Sequence, residues 1–155
     1  MKTRVLFLSS YNSCRSQMAE GLINHYLGDR FSAYSGGSEA TSVNQNAIAA
    51  MAEIGIDISR QSSKYVDEFE GEEFDYVITL VKDVGEKCLI HGAVSYCGRC
   101  GEACPHLDQT SHGTKRLYLW GFSDPSQLSG DKEKVWAEFC KTRDDIKIRL
   151  LQFFQ

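Results

Sequence analysis

The sequence has no internal repeat, no low-complexity tract and no apolar run approaching the length of a membrane-spanning helix, which argues against a repeat architecture and a helical anchor. It also lacks a basic excess. Lys and Arg total 17 against 21 Asp and Glu, a formal net charge of −4. A general nucleic-acid role is therefore disfavoured, because phosphate backbones recruit a basic surface. A secretory leader is not expected either. Val5 to Leu8 is too short for a signal-peptide core, and no small-residue cleavage pattern follows it. A cytoplasmic location is expected. There the six cysteines stay mostly reduced, which ranks metal binding or redox chemistry above structural disulfides.

What is present suits one domain, spanning residues 1–155. The length allows a real core, and 42% hydrophobic with 25% charged residues is ordinary for a globular chain. Val5-Leu6-Phe7-Leu8 reads as a buried strand. After Ser16, the spacing of Met18, Leu22, Ile23 and Tyr26 predicts a helix with Gly28 as its stop. A short strand is expected over Phe31 to Ser35, ending at Gly36-Gly37, then a helix over Val43 to Ile54 and a short helix or turn around Ser63 to Phe69. Tyr76 to Val81 is β-rich and buried in pattern, residues 82–114 read as loop, and Arg116 to Trp120 as a last strand. Lys132 to Phe154 is an amphipathic helix with Trp136, Phe139, Ile146, Leu150 and Phe153 facing inward. Alternating strands and helices predict an α/β fold whose parallel sheet is covered on both faces. Ligands in such sheets bind beyond the carboxyl ends of the strands, where residues 9–16 fall.

Those residues read Ser9-Ser10-Tyr11-Asn12-Ser13-Cys14-Arg15-Ser16. A strand runs into a polar loop that opens a helix. Backbone N–H groups at a helix start converge on one spot, and the helix dipole favours an anion there. Arg15 can clamp two oxygens of a tetrahedral oxyanion, with serine hydroxyls as further donors. The plainer alternative is a serine-rich loop that only caps a helix.

Wider patterns decide between them. Asn12-Ser13-Cys14-Arg15-Ser16-Gln17-Met18-Ala19-Glu20-Gly21, Ser35-Gly36-Gly37, Gly55-Ile56-Asp57-Ile58-Ser59, Trp120-Gly121-Phe122-Ser123-Asp124-Pro125, Trp136-Ala137-Glu138-Phe139 and Arg143-Asp144-Asp145-Ile146 occur in this order. Together they resemble the thioredoxin-coupled arsenate reductases, which share the low-molecular-weight tyrosine phosphatase fold. The resemblance covers nearly the whole chain outside about residues 89–114. It implies a flavodoxin-like three-layer domain with a four-stranded parallel sheet.

It also implies roles. Ser9, Arg15 and Asp124 stand at the catalytic positions, and Ser10, Tyr11, Asn12, Ser13, Cys14, Arg15 and Ser16 form the anion loop. Arg15 would bind phosphate or arsenate, Ser16 would hydrogen-bond the group at position 9, Asn12 would brace the loop, and Asp124 would be the general acid. Taken alone, Asp124 before Pro125 reads as a turn residue. Asn12, Glu20 and Ser35 match positions that help hold potassium in some reductases. Lys64 falls where those carry an acidic ligand, so its ammonium would take the cation's place; a solvated lysine is the other reading. Three cysteines act in relay in the reductases, and thioredoxin reduces the resulting disulfide. Here the first position is Ser9, the second is Val81, and only the third survives, as Cys88. A serine hydroxyl without an adjacent base is a poor nucleophile. Tyr11 replaces a family glycine, which is strained if that position has positive φ and otherwise narrows the pocket mouth. Cys14 and Cys140 read as buried packing residues.

Residues 97–105, Cys-Gly-Arg-Cys-Gly-Glu-Ala-Cys-Pro, interrupt the resemblance. Cys97, Cys100 and Cys104 need a fourth metal ligand, with Cys88 first and His91, His106 and His112 after it. Zinc is favoured, and an iron–sulfur cluster fits the same count. Idle or redox-active thiols are the metal-free alternative. The sequence thus points to an oxyanion-binding protein without the family's relay. One alternative is an active reductase or phosphatase using relocated cysteines, Cys14 or the Cys88–Cys104 cluster. Another is a metal-stabilised interaction module.

Overall fold

The computed structural model describes residues 1–81, 88–90, 93–95 and 116–155. Strand β1 (Thr3–Ser9) leads through the polar loop to α1 (Arg15–Tyr26), β2 (Phe31–Gly37) and α2 (Gln45–Glu53). A 3₁₀ turn (Val66–Phe69) precedes β3 (Tyr76–Val81), and the short strands β4 (Cys88–Ile90) and β5 (Ala93–Ser95) follow. Then come β6 (Arg116–Phe122), a second 3₁₀ turn (Pro125–Gln127) and α3 (Lys132–Phe153).

The main sheet is four-stranded and parallel, in the order β2-β1-β3-β6, and the domain is the flavodoxin-like α/β fold. Side chains alternate across β1 as the pleat requires. Val5 and Phe7 join the larger core with Met18, Leu22, Met51, Phe139, Ile146 and Leu150, which seats all three helices against one face. Leu6 and Leu8 point the other way, to Val66, Phe69, Phe74 and Val77. Among the described residues the second face is covered by the 3₁₀ turn and Phe74, a thinner layer than the helical one.

Two boundaries move outward. The second strand runs to Gly37 because its last residues pair with the end of β1, Leu8 with Gly36 and Ser9 with Gly37. The last strand runs to Phe122, which pairs with Val81 past an irregularity at the end of β3. The second helix begins later than its apolar pattern, at Gln45, because Asn44 caps it. The expectation of loop throughout 82–114 is corrected: β4 and β5 form a small antiparallel hairpin, paired from Cys88–Ser95 to Ile90–Ala93. Three-residue strands carry too little periodicity to be seen in sequence. Among the described residues no helix is long and apolar enough to cross a membrane.

Candidate anion site

The loop between β1 and α1 stands at the carboxyl edge of the sheet, and its backbone is set by Asn12. Asn12 is the one non-glycine residue with positive φ (48°) among the described residues. Asparagine tolerates this region, and a left-handed residue in a loop turns successive N–H groups toward one concavity, the geometry of an anion nest. Tyr11 is therefore not the strained position; its side chain is 36% exposed and its carbonyl accepts from the Ser63 hydroxyl (3.0 Å).

Asn12 is wholly buried and hydrogen-bonded on both sides of its amide. Its Oδ1 accepts from the Lys64 backbone N–H (2.8 Å) and from Gln17 Nε2 (2.9 Å). The Lys64 N–H can only donate, which fixes Oδ1 on that side and turns Nδ2 to Ser16 Oγ (2.9 Å). Ser16 Oγ lies 2.5 Å from Ser9 Oγ. Gln17 also donates to the Ser62 carbonyl (2.9 Å), while Gln61 donates to the Gln17 side chain (2.8 Å). Gly37 pairs so closely that a Cβ there would stand 2.8 Å from both Asn12 N and Ser9 O.

The serines do not cap α1. Its N-cap is Cys14, with no side-chain cap hydrogen bond. By contrast, Asn44 caps α2 and Asp131 caps α3 through their side chains. Ser13 Oγ instead meets Cys14 Sγ (3.6 Å), and Ser10 accepts at its carbonyl from Glu39 N (3.0 Å) and Ser38 Oγ (2.9 Å). The start of α1 therefore keeps its partial positive charge unsatisfied by a cap.

Arg15 brings the strand ends together. Its guanidinium is 2% exposed; Nη1 donates to the carbonyls of Phe122 (2.9 Å) and Leu80 (3.3 Å), and Nη2 faces Asp124 Oδ2 (3.4 Å). Asp124 is a turn residue, as its place before Pro125 suggested, and it also meets Arg15. Its Oδ1 accepts from the Ser126 N–H (3.0 Å) and hydroxyl (2.7 Å), capping the 3₁₀ turn, while Oδ2 meets Arg15. Ser9 thus meets Ser16 and Arg15 meets Asp124, with Arg15 and Ser16 adjacent in sequence at the start of α1.

A family model for low-molecular-weight phosphotyrosine protein phosphatases matches residues 4–155. The chain belongs to that family. It is 42% identical over 149 residues to an arsenate reductase of Bacillus subtilis, covering 96% of this chain and 93% of that one. An arsenate reductase of Halalkalibacterium halodurans is 41% identical over 152 residues, covering 98% and 95%. Among solved structures, an arsenate reductase in the phosphate binding state superposes with a TM-score of 0.67 at 28% identity, covering 99% of this chain and 96% of that one. A low-molecular-weight protein tyrosine phosphatase from T. tengcongensis shares the fold, with a TM-score of 0.66 at 21% identity and coverage of 99% and 100%.

Family membership directs attention to the cysteines. Cys14 is 3% exposed, and burial pushes its thiol up to about 11 despite the Ser13 hydroxyl pulling the other way. Cys140 lies half-buried on α3, its thiol also raised by burial. Val81 is buried at the end of β3. The metal expectation lies outside the described residues: Cys97, Cys100, Cys104, His91, His106 and His112 are not among them, and of Cys88 only the backbone is. Among the described residues no group of three or more His, Cys, Asp or Glu could hold a metal ion.

On the far side of Asn12, Lys64 Nζ donates to the Ser62 carbonyl (2.7 Å) and stands 4.0 Å from Glu20 Oε2. Ser35 donates to the same Glu20 oxygen. Burial raises the Glu20 carboxyl, with the Ser35 hydroxyl and the Lys64 ammonium opposing that rise. Sequence reasoning passed over Gln17, Gln61 and Gly37. The signal that could have found Gln17 is a polar residue between Ser16 and Met18 on the inward face of an amphipathic helix.

Proposed function

We propose that this chain is an oxyanion-binding member of the family, taking phosphate or arsenate at residues 9–16 in the cytoplasm without running the reductases' thiol relay. The carrying observation is the uncapped start of α1 beside the buried Arg15 guanidinium. Positive charge and converging N–H groups meet there in a place screened from water, where an anion is held far better than at the surface. An arriving anion draws Arg15 from Asp124, since the two compete for the same donor.

The case against the relay rests on neutral groups. By the resemblance, Ser9 and Val81 stand where the first two thiolates act. Among the described residues Ser9 Oγ meets another hydroxyl rather than a base that could ionise it. Cys14 is no substitute: with its thiol at about 11, roughly one in ten thousand is ionised at pH 7. We extend the proposal to the cysteine segment, where Cys88, Cys97, Cys100 and Cys104 would hold a structural zinc, or an iron–sulfur cluster in its place. Such a group would fasten that segment. Elemental analysis of anaerobically purified protein showing neither zinc nor iron removes this part.

Two measurements test the main reading. Saturating phosphate raises the unfolding temperature, by about 5 °C or more at a hundredfold excess over Kd, and Arg15→Ala abolishes the shift. Arsenate incubated with the protein, thioredoxin and thioredoxin reductase yields no arsenite. Arsenite production would restore the active-enzyme reading with relocated cysteines, and absence of any anion shift in the wild type would leave an interaction module.

A further inference from the structure

We infer that Ser9 is a hydrogen-bond donor to the bound oxyanion, with its proton released for that purpose by the Asn12–Ser16 relay. The inference rests on the anion-binding reading above and assigns position 9 a part in it: an attractive contact at the base of the loop rather than a vacant nucleophile position.

The argument is a count of protons. Ser9 and Ser16 carry two hydroxyl hydrogens between them, and one lies in their mutual 2.5 Å hydrogen bond. The other is left over. Its owner depends on which serine donates. Asn12 Nδ2 already donates to Ser16 Oγ, and the amide cannot be turned round because the Lys64 N–H holds Oδ1 on the opposite side. A hydroxyl that accepts a hydrogen bond becomes a better donor, so the chain runs Asn12 to Ser16 to Ser9. The opposite direction would leave the spare hydrogen on Ser16, which is 0% exposed and has no further partner among the described residues. An unmade hydrogen bond on a fully buried group is costly. Running the chain toward Ser9 moves the spare hydrogen to the residue that opens the anion loop. Ser9 is itself 2% exposed, and among the described residues Ser16 is the one hydrogen-bond partner of its hydroxyl. Its second hydrogen bond is therefore available for a group that enters the loop.

This reverses the electrostatics that a thiolate at the same place would impose. A thiolate is an acceptor carrying a full negative charge and repels a dianion beside it. A neutral hydroxyl whose proton points away from Ser16 attracts one.

Calorimetric titration of the full chain with inorganic phosphate, and with sulfate at matched ionic strength, tests the inference. Sulfate keeps its charge across the neutral range, so any pH dependence belongs to the protein. Ser9→Ala is expected to weaken both anions about tenfold or more, the usual value of a hydrogen bond to a charged group. Ser9→Cys is expected to lose sulfate affinity progressively as pH rises through the new thiol's ionisation, relative to the wild type at each pH. Unfolding without anion confirms that each variant keeps the fold. Wild-type affinity in Ser9→Ala, or a Ser9→Cys profile parallel to the wild type, overturns the donor role while leaving the loop an anion site. A wild-type chain that binds neither anion removes the anion-binding reading itself, and the donor role with it.

Discussion

Asn12 separates two neighbourhoods of opposite character. Toward Ser16 its amide donates into a group of neutral hydroxyls beside the buried Arg15, at a helix start with no side-chain cap. Toward Lys64 its oxygen accepts from backbone, and beyond it the Lys64 ammonium stands 4.0 Å from Glu20. On the second side both charges belong to the chain. On the first side Arg15 has Asp124 at 3.4 Å, but the positive end of α1 faces hydroxyls and has no side-chain cap, so an exchangeable anion can add to it. The contrast teaches where the chain keeps a permanent charge and where it leaves room for one that exchanges. Each of the following substitutions breaks or sharpens that contrast.

Asn12→Ala should have the largest effect, because it removes the divider. Three side-chain hydrogen bonds go at once, the buried ones to Ser16 and Gln17 and the half-buried one from the Lys64 N–H. Alanine also fits the left-handed backbone at φ 48° less well than asparagine. A loss of about 3 kcal/mol is expected in urea unfolding. Asn12→Gly removes the same hydrogen bonds but accepts the backbone, so it should recover about 1 kcal/mol of that loss. Equal stability of the two variants would show that the backbone conformation at position 12 carries no cost.

How much of this was legible in sequence depends on the range of the interaction. The buried runs Val5–Leu8 and Tyr76–Val81 announce central strands because both their faces are covered, and the structure has them in the middle of the sheet. Arg15 and the helix after it are local features and were read directly. The plainer alternative, a serine-rich loop that only caps a helix, does not hold: Ser16 is held by Asn12 and Ser9, and α1 has no side-chain cap. A polar residue on the inward face of α1 marks Gln17, but its partners, Ser62 and Gln61, lie about 45 residues away in sequence, and spacing cannot report such contacts. The same holds for Gly37, whose lack of a side chain matters only because β1 and Asn12 pack against it.

The charged side of the comparison is tested by Lys64→Met. Glu20 loses the ammonium that opposes its desolvation, and its carboxyl, already raised by burial, rises further. The sign follows from proton binding. A carboxyl raised in the folded state holds a proton that the unfolded chain has released, so stability falls as pH rises from the ordinary carboxylate range through the folded value, then levels off. The variant should match the wild type in acid and fall about 1 kcal/mol below it near neutrality, a modest figure because Lys64 is partly exposed. Potassium chloride should restore more stability to the variant than tetramethylammonium chloride at equal ionic strength, since the Glu20 carboxylate and the Ser35 hydroxyl would then face a compact cation. A deficit independent of pH would mean that Lys64 acts through packing of its stem rather than through its charge.

Asp124→Asn bears on the open side and should have the smallest effect. Asparagine retains an oxygen for the Ser126 N–H and hydroxyl, so the turn after β6 stays capped. What it loses is both the charge and the acceptor facing Arg15 at 3.4 Å, because the amide nitrogen then stands there. That carboxylate competes with an incoming anion for the guanidinium and repels it, so its neutralisation should tighten phosphate binding about three- to tenfold in calorimetric titration. The opposing effect is orientation, because Asp124 also helps aim Arg15. Two carbonyls, Phe122 and Leu80, still hold Nη1 in the variant, so the aim should survive and the relief of repulsion should dominate. Weaker phosphate binding in Asp124→Asn would reverse that order. It would make the Arg15–Asp124 pair part of the site's permanent charge, and the open side of Asn12 would then resemble the closed one.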